Sequence, residues 1–131
     1  MKIKPSILFF GTAMLFLLYG ILTGGKSISI ALFDTYFVVA NVYFAVILSV
    51  VTGIISLFYF GMEIVKRSIN TRVGFMHFGL FIIGLLLLAF HNYYGSGSKA
   101  IILAGVILLL TSLVVFIYGV IKALLNKKQQ N

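Results

Sequence analysis

Few side chains in this chain could do chemistry, and their spacing narrows what that chemistry is. The 131 residues hold two acids, Asp34 and Glu63, two histidines, His77 and His91, and no cysteine. Without cysteine there is no disulfide, no thiolate metal site and no cysteine nucleophile. His77 and His91 are separated by about four helical turns, so they cannot share a metal on one unbroken helix. A metal site needs several convergent ligands with their own supporting hydrogen bonds. Each histidine therefore reads as a packing or interfacial residue. Glu63 precedes Lys66 and Arg67 at the spacing of an ion pair on a helix. Asp34 stands just before a long apolar run, where a carboxylate favours the positive end of a starting helix. No acid falls within an apolar run to couple protons to a transported solute. There is no nucleophile–base pair and no phosphate-binding glycine loop. Asn41, Ser49, Thr52 and Ser56 fall near one side of a helix. Such a set either lines a polar pore or, as is ordinary between membrane helices, bonds to a neighbouring helix.

The elements that must position these residues are apolar runs. The chain is 62% hydrophobic and 9% charged, against about 25% charged for an ordinary soluble domain. So small a globule cannot hide that much apolar surface, and lipid is the expected solvent. The net charge of +8 does not point to nucleic acid, because the cations flank the apolar runs and form no patch. Four runs approach the length of about 20 residues that crosses a bilayer. They cover about 6–24, 36–61, 73–90 and 99–122, within a single domain of residues 1–131 ending in a polar tail, 126–131. No strand alternation competes with them. The expected fold is all-α: an integral membrane four-helix up-down bundle with short loops. Lys2, Lys4, Lys66, Arg67, Arg72, Lys122, Lys127 and Lys128 fall on one side, and only Lys26 and Lys99 on the other. This 8-to-2 bias places both termini and the middle loop in the cytoplasm, in the inner (cytoplasmic) membrane. The glycines follow no strict period and read as packing positions. Seven tyrosines and thirteen phenylalanines supply bundle filler and interfacial belts, the latter including His91-Asn92-Tyr93-Tyr94.

The block Ile30-Ala31-Leu32-Phe33-Asp34-Thr35-Tyr36-Phe37-Val38-Val39-Ala40 resembles a signature of subunit I of cytochrome c oxidase, in the heme-copper oxidase family. Gly20-Ile21-Leu22-Thr23-Gly24 resembles the end of that family's preceding helix. Met76-His77-Phe78 with Ile83-Gly84 resembles its next helix. The resemblance covers essentially the whole chain and implies the last four helices of the family's twelve. It also implies which positions would hold ligands. The family's magnesium-site histidine falls at Phe33, leaving Asp34 as a lone remnant of that site. Its two heme-ligating histidines fall at Asn41 and Tyr43. Its Phe-Pro-x-His-Phe becomes Phe90-His91-Asn92-Tyr93-Tyr94, and the arginines that meet heme propionates are replaced in Gly95-Ser96-Gly97-Ser98-Lys99. The helices that carry the family's copper ligands have no counterpart in these residues.

These losses agree with one another. The expectation is a non-catalytic membrane protein with no cofactor and no metal. Asp34, Thr35, Tyr36, His77 and Gly84 remain as structural positions. Its partners are the lipid bilayer and other membrane subunits, and its role is accessory, in assembly of or interaction with a respiratory terminal oxidase. Two alternatives stand beside it. One is a fragment of a working split oxidase whose heme ligands come from a partner chain. The other is a small, unrelated membrane transporter or channel.

Overall fold

A computed structural model describes residues 3–32, 35–67, 69–90 and 99–125, with backbone alone for 28–32, 35–37 and 90. Four helices account for most of it: α1 (Pro5–Leu22), α2 (Asn41–Ile64), α3 (Thr71–Phe90) and α4 (Lys99–Leu125). Their 18, 24, 20 and 27 residues correspond to about 27, 36, 30 and 40 Å at 1.5 Å per residue. All four are long and apolar enough to cross a membrane. Large apolar side chains stand exposed along every helix, among them Leu15, Leu57, Leu103 and Val114. In water such a surface would aggregate; in lipid it is the solvated face.

The helix ends follow local chemistry. Pro5 occupies the first turn of α1, where its missing N–H is no loss, behind an extended Lys4. Asn70 caps α3: its Oδ1 accepts the Arg72 N–H at 2.9 Å and its carbonyl accepts the Gly74 N–H at 3.0 Å. The end of α2 is closed by two bonds, Arg67 N–H to the Met62 carbonyl and Lys66 N–H to the Glu63 carbonyl. That pairing is the Schellman arrangement, and it holds Lys66 at φ 57°, a left-handed position more often given to glycine.

One element departs from the all-α expectation. Residues Ser27–Leu32 form β1 and Thr35–Ala40 form β2, an antiparallel hairpin running from Ser27↔Ala40 to Leu32↔Thr35. The expected second helix, 36–61, therefore starts five residues late, at Asn41, and runs on to Ile64. The β-branched and aromatic side chains of Tyr36-Phe37-Val38-Val39 suit a pleated strand as well as an apolar helix. Asp34 lies outside the described residues. The residue immediately before α2 is Ala40, the last of β2.

The chain forms two compact units, Met1–Phe60 and Gly61–Asn131. In the first, α1 and α2 run antiparallel: Ser6 meets Ser56, Ala13 meets Ser49 and Gly20 meets Ala45. In the second, α3 and α4 run antiparallel: Val73 meets Gly119, His77 meets Ser112 and Gly84 meets Gly105. Buried positions in α2 include Ala45, Ser49, Thr52, Ser56 and Tyr59, and in α4 Gly105, Ser112 and Gly119. The steps of three, four and seven are those of a coiled-coil seam. A period thus exists in the buried subset, although the glycines alone show none.

Candidate functional site

The seams use polar side chains as fasteners. Ser49 Oγ donates to the Ala13 carbonyl and Ser56 Oγ to the Ser6 carbonyl, each at 2.9 Å. Thr52 Oγ1, fully buried, turns back to the Leu48 and Ser49 carbonyls of its own helix at 2.8 and 3.1 Å. Three members of the polar set on α2 thus bond to helix backbone. Phe9 and Tyr59 stack at 5.6 Å between ring centroids and close the Ser6–Ser56 end of the same seam.

The junction of hairpin and helix is the position of interest. β2 passes into α2 without a loop, and the Asn41 N–H donates to the Lys26 carbonyl at 2.9 Å, extending the hairpin by one bond. Beside it, α1 approaches so closely that a Cβ added at Gly20 would lie 2.7 Å from Ala45 Cβ. Asn41 is 4% exposed, and its Oδ1 is buried with no hydrogen-bond partner among the described residues. Leaving a carbonyl oxygen in that state costs about 1–3 kcal/mol. Two residues on, about 200° around the helix, Tyr43 is 66% exposed.

These are the two positions at which the resemblance would place heme ligands, and the residues do not fit a heme. Axial donors to such an iron are imidazole, thiolate, thioether or tyrosinate. Asn41 offers a neutral amide, buried at the base of the hairpin. Tyr43 presents an exposed phenol on a different face of the helix. Phe33, Asp34 and residues 91–98, His91 among them, lie outside the described residues. Thr35 and Tyr36 are placed by their backbone, paired with Leu32 and Ala31.

His77 and Gly84 belong to the other unit. His77 is 3% exposed, with its ring 4.9 Å from that of Phe116 and 6.1 Å from that of Phe81. Its backbone carbonyl accepts from Ser112 Oγ at 3.3 Å. A Cβ added at Gly84 would meet the Gly105 carbonyl at 3.1 Å and Leu109 Cγ at 3.0 Å. Both residues are thus parts of the α3–α4 seam. Among the described residues, no group of three or more His, Cys, Asp and Glu side chains converges.

Sequence reasoning missed the isolation of Asn41 Oδ1. Its signal was an amide at the border of an apolar run, which fits a fastener equally well. No family model matches the chain, and no solved structure matches it.

Proposed function

We propose that this chain is a non-catalytic membrane subunit that acts by helix packing, accessory to the assembly or interactions of a respiratory terminal oxidase. In this reading it crosses the cytoplasmic membrane four times, up and down, with both termini in the cytoplasm. The antiparallel helix pairs and the 8-to-2 distribution of Lys and Arg support that topology. The observation that carries the functional reading is the use made of the buried polar groups. Ser49, Ser56, Thr52 and Ser112 all donate to helix carbonyls. The heme-ligand positions implied by the resemblance hold an amide and an exposed phenol. The choice of an oxidase as partner comes from the sequence resemblance, chiefly the Ile30–Ala40 block, with the Gly20–Gly24 and Met76–Gly84 stretches in support.

Two measurements test it. Affinity purification from mildly solubilised native membranes should recover oxidase subunits with the full chain. Recovery without any respiratory component sinks the partner assignment. The absorption spectrum of the protein purified alone should lack a Soret band. A band that survives washing would revive the split-oxidase alternative.

A further inference from the structure

At the Arg72–Lys122 end of the second unit, α3 begins and α4 finishes. There Ile69 and Val73 close on Gly119: a Cβ added at Gly119 would lie 3.0 Å from a methyl of each. This contact fixes which way the neighbouring side chains face. Antiparallel helices, viewed from one end, turn in opposite senses. Arg72 lies about 100° from Val73 around α3, while Tyr118 and Lys122 lie about 100° and 60° from Gly119 around α4. Because the senses are opposite, all three come to the same flank of the seam. Lys122 Nζ stands 3.5 Å from Tyr118 Oη and 5.6 Å from the centre of its ring. Arg72 and Lys122 are exposed, and neither makes an ion pair with an acid among the described residues. One turn further along each helix, that flank is apolar, with Met76 and Val114 59% and 65% exposed.

Two unpaired cations and a phenol above an apolar strip match one kind of occupant. We propose that this flank binds an anionic phospholipid, with its phosphodiester between Arg72, Tyr118 and Lys122 and an acyl chain over Met76 and Val114. The guanidinium supplies a forked donor for two phosphate oxygens, the ammonium a point charge, and the phenol a neutral donor. Tyrosine favours the headgroup level for the same reason, having an apolar body and a polar tip. The chain's excess of ten cations over two acids makes an anionic lipid the complementary partner. The inference rests on the membrane-spanning reading but not on the oxidase assignment.

Native mass spectrometry of the full chain, titrated in neutral detergent with phosphatidylglycerol or phosphatidylcholine, tests it. Wild type should favour phosphatidylglycerol, and 1 M salt should weaken that preference. The Arg72→Gln/Lys122→Gln variant should lose about twenty-five-fold, taking about fivefold for each cation. Tyr118→Phe should lose less, and Lys99→Gln, at the first residue of α4, should lose nothing. Arg72→Lys keeps the charge without the fork and should lie between wild type and the double variant, which guards against misfolding of the latter. Equal binding of the two lipids overturns the site, as does an unchanged double variant. An equal loss in Lys99→Gln would mean diffuse attraction and also overturns it. Displacement of the lipid by millimolar inorganic phosphate would make free phosphate the ligand and overturn the lipid. Failure to bind either lipid, with the protein absent from the membrane fraction of cells, would fell the membrane reading itself.

Discussion

Asn41 and the serines of the same helix differ in how their buried polar atoms are satisfied. Its backbone N–H is bonded to Lys26, but its side-chain oxygen, buried, has no partner among the described residues. Ser49 and Ser56, on the same helix, each reach a carbonyl of α1. A buried acceptor without a donor destabilises, whereas an apolar group of similar shape is neutral or better. Asn41→Leu should therefore leave folding intact and raise stability by about 1 kcal/mol, read as a later midpoint in a detergent-to-SDS unfolding titration. Ser49→Ala is the contrast. It removes a made bond and should lower stability by about 0.6 kcal/mol, the average for hydrogen bonds between membrane helices. A loss of stability in Asn41→Leu larger than that in Ser49→Ala would mean that a donor reaches Oδ1 in the membrane.

Among the elements, the four helices were legible because each apolar run is near the thickness of a bilayer core. Two further features were not. The hairpin was hidden because Ile28 to Ala40 is apolar, β-branched and aromatic around a central Asp34, and no glycine or proline separates Ala40 from the helix. The alternation Ser27-Ile28-Ser29-Ile30 was its available signal. The seams were hidden for a different reason. In water a buried face differs from its surroundings by being apolar; in lipid the outer face is apolar too. The contrast passes to size and hydroxyl content, at Ser6, Ala13 and Gly20 in α1 and Gly105, Ser112 and Gly119 in α4. This assignment of faces can be checked by covalent chemistry, since the chain has no cysteine of its own. A Cβ placed on Gly119 lies 4.0 Å from Val73 Cβ, inside the range of about 3.5–4.5 Å that a disulfide spans. Val73→Cys/Gly119→Cys should cross-link nearly completely under mild oxidation of the purified protein. Met76→Cys/Gly119→Cys, displaced around α3, should not. Reversal of the two yields would place a different face of α3 against α4.

For the whole molecule, the proposed topology is oriented by charge more than by packing. A chain that crosses an even number of times returns to the side on which it started, so the proposed four crossings would put both ends of the chain on one side. The link between α2 and α3 would share that side in this topology, and it carries Lys66 and Arg67, with Arg72 just inside α3. In the proposed topology eight cations would fall on this side against two on the other, Lys26 and Lys99. Retaining cations on the cytoplasmic face is the strongest orientation signal that short loops provide. Single cysteines at Ser68, Ser96 and Gln129 read the outcome on the cysteine-free background. In intact cells a membrane-impermeant maleimide should label Ser96→Cys alone, and Ser68→Cys and Gln129→Cys should react only after permeabilisation. Replacing Lys66, Arg67 and Arg72 together by Gln cuts the bias from 8 against 2 to 5 against 2 and should let a fraction of molecules show the opposite pattern. Labelling of Ser68→Cys in intact cells at the level of Ser96→Cys would mean that the polypeptide between them does not cross the membrane. The inverted pattern in the wild-type background would place the basic end outside, away from the cytoplasmic leaflet whose anionic lipids its cations suit.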